Sequence, residues 1–110
     1  MKSVAVDRKI AALADPARRR AVELLSAEPR AAGELAKALG IPAPAMSRHL
    51  RALKDGGLVN ERIDEIDARV RIYELKDGAM QDLKDWLAAT EALWSDQLRG
   101  FKIHVEKRRK

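Results

Sequence analysis

The chain has 110 residues, enough for one domain with a modest core, and it has no cysteine, which excludes disulfides, thiolate metal sites and cysteine nucleophiles. Its 22 lysines and arginines against 17 acids leave a net charge of +5, a balance that favours anionic partners such as nucleic acid. The N-terminal MKSVAVDRKI lacks an apolar leader core and no run approaches membrane-spanning length, so a cytoplasmic protein with no membrane partner is expected.

In chain order, apolar spacing predicts a first helix over about 4–14, with Ile10, Leu13 and Ala14 inward. The stretch ADPARRR restarts the chain. Asp15 suits an N-cap and Pro16 the first helical position, so a second helix runs to about Ala27 with Ala17, Ala21, Leu24 and Leu25 as its inner stripe. Pro29 ends it. AAGELAKALG predicts a short third helix facing inward through Leu35, Ala36 and Leu39 and closed by Gly40.

A tight turn leads to a fourth helix over 43–55, stopped by Gly56 and Gly57. The period then changes from helical to alternating. Residues 58–75 predict a hairpin with a polar tip near Asp64 to Ala68. A last helix is expected over about 78–106. The predicted fold is mainly α with a small β-hairpin: a single winged helix-turn-helix domain over 1–110, with about five helices and a two-stranded wing.

On a helical wheel the fourth helix separates into two sides. Met46, Leu50 and Leu53 cluster on one, with His49 at their margin as a packing residue or phosphate donor. Pro44, Ser47, Arg48, Arg51 and Lys54 fall on the other, which lacks the mixed charge of an ordinary solvated face. That pattern predicts a recognition helix, and Pro42 and Pro44 stiffen its start, where missing N–H groups cost little. Arg69 and Arg71 on the wing are further candidate contacts, provided that the acids Asp64, Glu65 and Asp67 at the tip do not repel the phosphates. Asp67 would help if it oriented one of those arginines. Arg18, Arg19 and Arg20 crowd a helix start, where cations oppose the macrodipole, which leaves them either paired with Asp15 and Glu23 or available to phosphates.

The pieces LADPARRR, GELAKALGIPAPAMSRHLRALKDGGLV and DARVRIYEL, in that order, resemble the ArsR/SmtB-type bacterial transcriptional regulators, and with LWSDQLRGFKIHVE the resemblance covers nearly the whole chain. It implies a homodimeric winged-helix repressor that leaves its operator when a signal arrives. Many relatives have Ser and Gln where this chain has Pro42 and Ala43. Reading of base edges therefore shifts to Ser47, Arg48 and Arg51, with help from the wing.

The resemblance also raises metal sensing. One family site needs a cysteine pair on the third helix, here GELAKAL. Another needs several His and acidic ligands along the last helix, which carries only His104, followed by Lys107. No metal, no other cofactor and no catalytic residues are expected, since nucleophile–base pairs and Gly-rich phosphate loops are also missing. Nothing in the residues specifies an effector.

The last helix places Leu83, Leu87, Trp94, Leu98 and Phe101 on one stripe, with Trp86 and Leu93 beside it. Large aromatics on a helix this long predict a dimer interface, with help from the first helix. The expected function is a sequence-specific transcriptional regulator binding a palindromic operator on double-stranded DNA. The alternative is a winged-helix protein-interaction module without sequence-specific DNA binding.

Overall fold

The computed structural model describes residues 2–109, with side chains described over 4–100 and at Lys102. It divides into two units, residues 1–80 and residues 81–110.

The first unit opens with α1 (Lys2–Ala12) and α2 (Pro16–Ala27). Asp15 caps α2, its Oδ1 accepting from the N–H of Ala17 at 2.8 Å and of Arg18 at 3.3 Å. The inward stripe of α1 differs from the expected one. Val6, Lys9 and Ala12 are buried, whereas Ile10 is exposed, Leu13 half-buried and Ala14 exposed. The shift follows from Lys9, whose Nζ donates to the carbonyl of Ala79 at 2.6 Å. A lysine whose ammonium finds a main-chain oxygen can lie on the buried side along its apolar stem. In α2, Ala21, Val22 and Leu25 are buried, while Ala17 and Leu24 sit at the margin.

Next come β1 (Arg30–Ala31) and α3 (Ala32–Leu39). Gly40 ends α3 in the left-handed conformation at φ 67°. α4 (Ala43–Asp55) follows with Pro42 as its extended N-cap. The two glycines after α4 do different work. Gly57 takes a positive φ of 79° and the N–H of Leu58 closes back on the carbonyl of Leu53 at 3.0 Å, a Schellman-type stop. Gly56 is ordinary in its torsions, but a Cβ there would lie 2.9 Å from that of Ala12. Its missing side chain lets α1 approach the end of α4.

β2 (Val59–Ile63) and β3 (Arg71–Leu75) form the hairpin, with Val59 opposite Leu75 and Glu61 opposite Tyr73. The wing has the two strands expected of it, and a third strand not foreseen, β1, extends the sheet in the order β1-β3-β2: Arg30 pairs with Tyr73 and Ala31 with Ile72. A two-residue strand is too short to show alternation in a sequence.

The core is built where α2, α3 and α4 meet the sheet. Leu35, Met46, Leu50, Leu53 and Leu58 are fully buried, with Val59 and Tyr73 closing the wing side. No buried side-chain polar atom among the described residues lacks a partner.

The second unit is α5 (Gln81–Arg109), which starts three residues later and ends three later than expected. Trp86, Leu87, Leu93, Trp94 and Leu98 are exposed on it and Leu83 is half-buried. The side chains of Phe101 and His104 lie outside the described residues. Among the described residues, no helix is long and apolar enough to cross a membrane.

Candidate nucleic-acid interface

α4 is held by its apolar side and presents the other. Met46, Leu50 and Leu53 anchor it in the core, and Pro44, Ser47, Arg48, Arg51 and Lys54 are all exposed. The start of the helix is fixed without side-chain caps. Pro42 supplies the extended turn, its carbonyl accepts from the N–H of Met46 at 3.0 Å, and Pro44 lies in the first turn.

His49 does not share that outer face. It is half-buried, and its charge, when present, lies near enough to Asp15 to favour that carboxylate. Partial desolvation pushes the Asp15 carboxyl up, but the N–H groups of Ala17 and Arg18, followed by His49 and the Arg18 charge, bring it below the ordinary value.

α4 packs against β2, and a groove of about 440 Å³ lies between the helix and the wing. Ser47, Arg48, Arg51, Lys54 and Asp55 line one side, and Glu61 and Tyr73 the other. The last two were not picked out from the sequence, although period-two alternation already puts Glu61 on the strand face shared by Val59. The Tyr73 hydroxyl donates to Oε2 of Glu61, and Lys54 Nζ donates to Oε1 at 3.5 Å. The Tyr73 bond is the main reason that the Glu61 carboxyl lies below the usual range. Desolvation opposes the shift, and Lys54 and Arg71 add to it. Burial, then the bond and the charge of Glu61, push the Tyr73 phenol up to about 12.

At the wing tip Asp67 does orient Arg69. Its Oδ1 accepts from the main-chain N–H and Nε of Arg69, at 3.0 and 3.2 Å, and its Oδ2 accepts from the guanidinium at 3.2 Å. Those bonds, the side-chain ones first, hold the Asp67 carboxyl below its ordinary value despite some desolvation. The Arg69 side chain is 90% exposed, so the guanidinium stands outward on a carboxylate base. Arg71 is exposed as well, near Glu61.

Arg18 and Arg19 pair with neither of the acids considered for them. Arg18 donates through Nε to the carbonyl of Ala12 at 2.6 Å and through its NH2 nitrogen to Ala11 at 3.4 Å. Arg19 donates to the carbonyl of Leu13 at 2.7 Å. They cap the C-terminal carbonyls of α1 and the turn after it, which repays placing cations at the start of α2. Among the described residues no group of three or more His, Asp or Glu is placed to hold a metal ion.

Comparison with known proteins fits this architecture. A family profile described as a helix-turn-helix domain matches residues 13–62. The chain is 38% identical over 95 residues to the HTH-type transcriptional regulator Rv2034 of Mycobacterium tuberculosis, covering 86% of this chain and 83% of that protein. Its fold matches an ArsR-like transcriptional regulator from Rhodococcus sp. RHA1 with a TM-score of 0.77 and 25% identity, over 91% of this chain and 92% of the other. It also matches the homodimeric winged helix-turn-helix DNA-binding domain Mb0332 of Mycobacterium bovis, a possible ArsR-family regulator, with a TM-score of 0.63 and 32% identity over 81% and 82% of the two chains. With α3 and α4 as the helix-turn-helix, β2 and β3 as the wing, and a relative of this similarity along most of its length, the chain belongs to the ArsR-type winged helix-turn-helix transcriptional regulators, which act by binding DNA.

Proposed function

We propose that the protein is a homodimeric repressor that binds a palindromic operator by placing α4 of each subunit in the major groove. The observation that carries this reading is the outer side of α4, where Ser47, Arg48 and Arg51 stand exposed on a helix whose opposite side is locked in the core. Arginine donates in pairs to guanine O6 and N7 and serine accepts or donates at several base edges, so these residues suit sequence reading. Pro44 holds the helix start, and Arg69, braced by Asp67, and Arg71 are placed to meet phosphates from the wing. His49 contributes by packing.

Dimerisation follows from α5. Its exposed Trp86, Leu87, Trp94 and Leu98 form an apolar face larger than a solvated helix ordinarily carries, and a second copy of the same helix would cover it. The M. bovis relative is a homodimer, which supports the same assembly here. Two recognition helices held about 34 Å apart read successive major grooves on one face of the duplex. A dimer seated over a promoter would exclude polymerase by occupancy, inside the cell, with no catalytic step and no cofactor.

The test is selection of bound duplexes from a random pool, followed by affinity measurements on the selected and a scrambled duplex over a range of salt. A palindromic consensus, preferred over scrambled DNA and weakening steeply with salt, is the expected result. Binding indifferent to sequence and salt would overturn the proposal.

A further inference from the structure

We propose that Glu61 is a positioning residue that limits DNA affinity: its carboxylate, fixed between wing and recognition helix, competes with DNA phosphates for Lys54. This rests on the DNA-binding role of α4 proposed above.

Three observations lead there. The first is placement. Glu61 lies on β2 within the groove that Ser47, Arg48, Arg51 and Lys54 line, so any duplex engaging those residues approaches its carboxylate. Asp55 also lines the groove, but the structure gives it no bond to a groove cation.

The second is fixation. Tyr73 is buried, only 8% exposed, and its hydroxyl donates to Oε2 of Glu61. Swinging the carboxylate into solvent would give up that hydrogen bond at a part-buried site, so the bonded position is favoured. Glu61 is thus held in place, with a side chain 29% exposed. An ordinary surface acid would turn away from an approaching phosphate.

The third is engagement. Lys54 Nζ lies 3.5 Å from Oε1 of Glu61, in the last turn of α4. An ammonium that faces a fixed carboxylate must leave it, or share it, to take a phosphate. Removing the carboxylate charge frees one cation per subunit and deletes one fixed anion from the groove. Lys54, a DNA contact by sequence pattern, is in this account partly withheld from DNA by the wing.

The experiment compares full-length protein with Glu61→Gln, Lys54→Met and the double variant, using the duplex selected by the wild type and a scrambled duplex. Glutamine keeps an acceptor for Tyr73, and melting of each variant checks folding. Glu61→Gln should tighten binding to both duplexes by roughly two- to fivefold per subunit, the scale of an exposed ion pair. It should also steepen the slope of log affinity against log salt by about 0.9 per subunit, one additional phosphate neutralised. Lys54→Met should flatten the slope less in the wild-type background than in the Glu61→Gln background, where it cancels the gain. Glu65→Gln, the same charge change at the wing tip, should leave the slope unchanged.

Weaker binding by Glu61→Gln, an unchanged slope, or an equal effect of Lys54→Met in both backgrounds would overturn the proposal while leaving the DNA-binding reading intact. A wild type with no salt-dependent DNA binding would overturn both. Should Glu61→Gln melt markedly earlier, Tyr73→Phe provides the second route. It removes the hydroxyl that fixes the carboxylate and should shift the slope in the same direction; no shift would overturn the proposal.

Discussion

Lys9 and Ala79 are 70 residues apart in sequence and share a buried hydrogen bond of 2.6 Å, from the side-chain ammonium of one to the main-chain carbonyl of the other. The bond fixes α1 against the segment that leads into α5. Lys9→Met keeps the stem and removes the donor, leaving the carbonyl without that charged partner. Unfolding free energy should fall by about 1–3 kcal/mol, measured by denaturant titration at fixed protein concentration.

Gly56 tests the packing of α1 on α4 from the other side. Its φ of −77° suits any residue, so Gly56→Ala is destabilising through contact alone: the new Cβ meets Ala12 Cβ at 2.9 Å and the Ala52 carbonyl at 3.2 Å. A loss of about 1–3 kcal/mol is expected. Ala12→Gly in the same chain should recover part of it, so the two substitutions will be non-additive in a thermal or chemical melt. Gly57→Ala is destabilising for another reason, its φ of 79°, and Ala12→Gly should not rescue it.

How far these contacts could be read from the sequence varies with their range. The start of α2 at Asp15-Pro16 and the stop of α4 at the glycine pair are local signals, and both lie where the residues place them. The buried stripe of α1 departs from its pattern because lysine reads as outward in a sequence, and its acceptor, the carbonyl of Ala79, lies 70 residues away. β1 is two residues that pair only because β3 lies beside them. The arginine run had the same difficulty: the acceptors of Arg18 and Arg19 are main-chain oxygens of α1, which carry no sequence label. Glu61 had a legible strand face, but that this face turns toward α4 is a tertiary fact.

Tyr73 is the only tyrosine of the chain, so its ionisation can be followed by tyrosinate absorbance without assignment. The phenol should titrate at about 12 in the folded protein, above the ordinary 10.0. A raised folded value means that the neutral phenol is favoured by the fold. The stability it contributes is complete below pH 10.0 and is lost as pH rises toward 12. Glu61→Gln should bring the titration down by removing the neighbouring charge.

Arg48 on α4 and Arg18 on α2 are both helical arginines, and they should fail in different assays. Arg48→Ala should weaken binding to the selected duplex by about 1–3 kcal/mol and relax preference at one base position in each half-site, with melting unchanged. Arg18→Met removes hydrogen bonds to the carbonyls of Ala12 and Ala11, so it should lower stability by about 1 kcal/mol and leave base preference as it was.

Trp94 and Leu98 lie one helical turn apart on α5 and are 60% and 47% exposed. If a second copy covers them, each contributes about 1.5–3 kcal/mol when buried. Trp94→Ala with Leu98→Ala should shift the protein toward monomer in sedimentation at micromolar concentration. Affinity for a full palindrome should fall with it, while affinity for an isolated half-site should change little. A persistent dimer would place the interface elsewhere.

Several cations of this regulator are engaged with the protein's own oxygens: Arg18 and Arg19 with carbonyls, Lys54 with Glu61, Arg62 with Glu74 and Arg69 with Asp67. Total basicity therefore overstates its grip on arbitrary duplex.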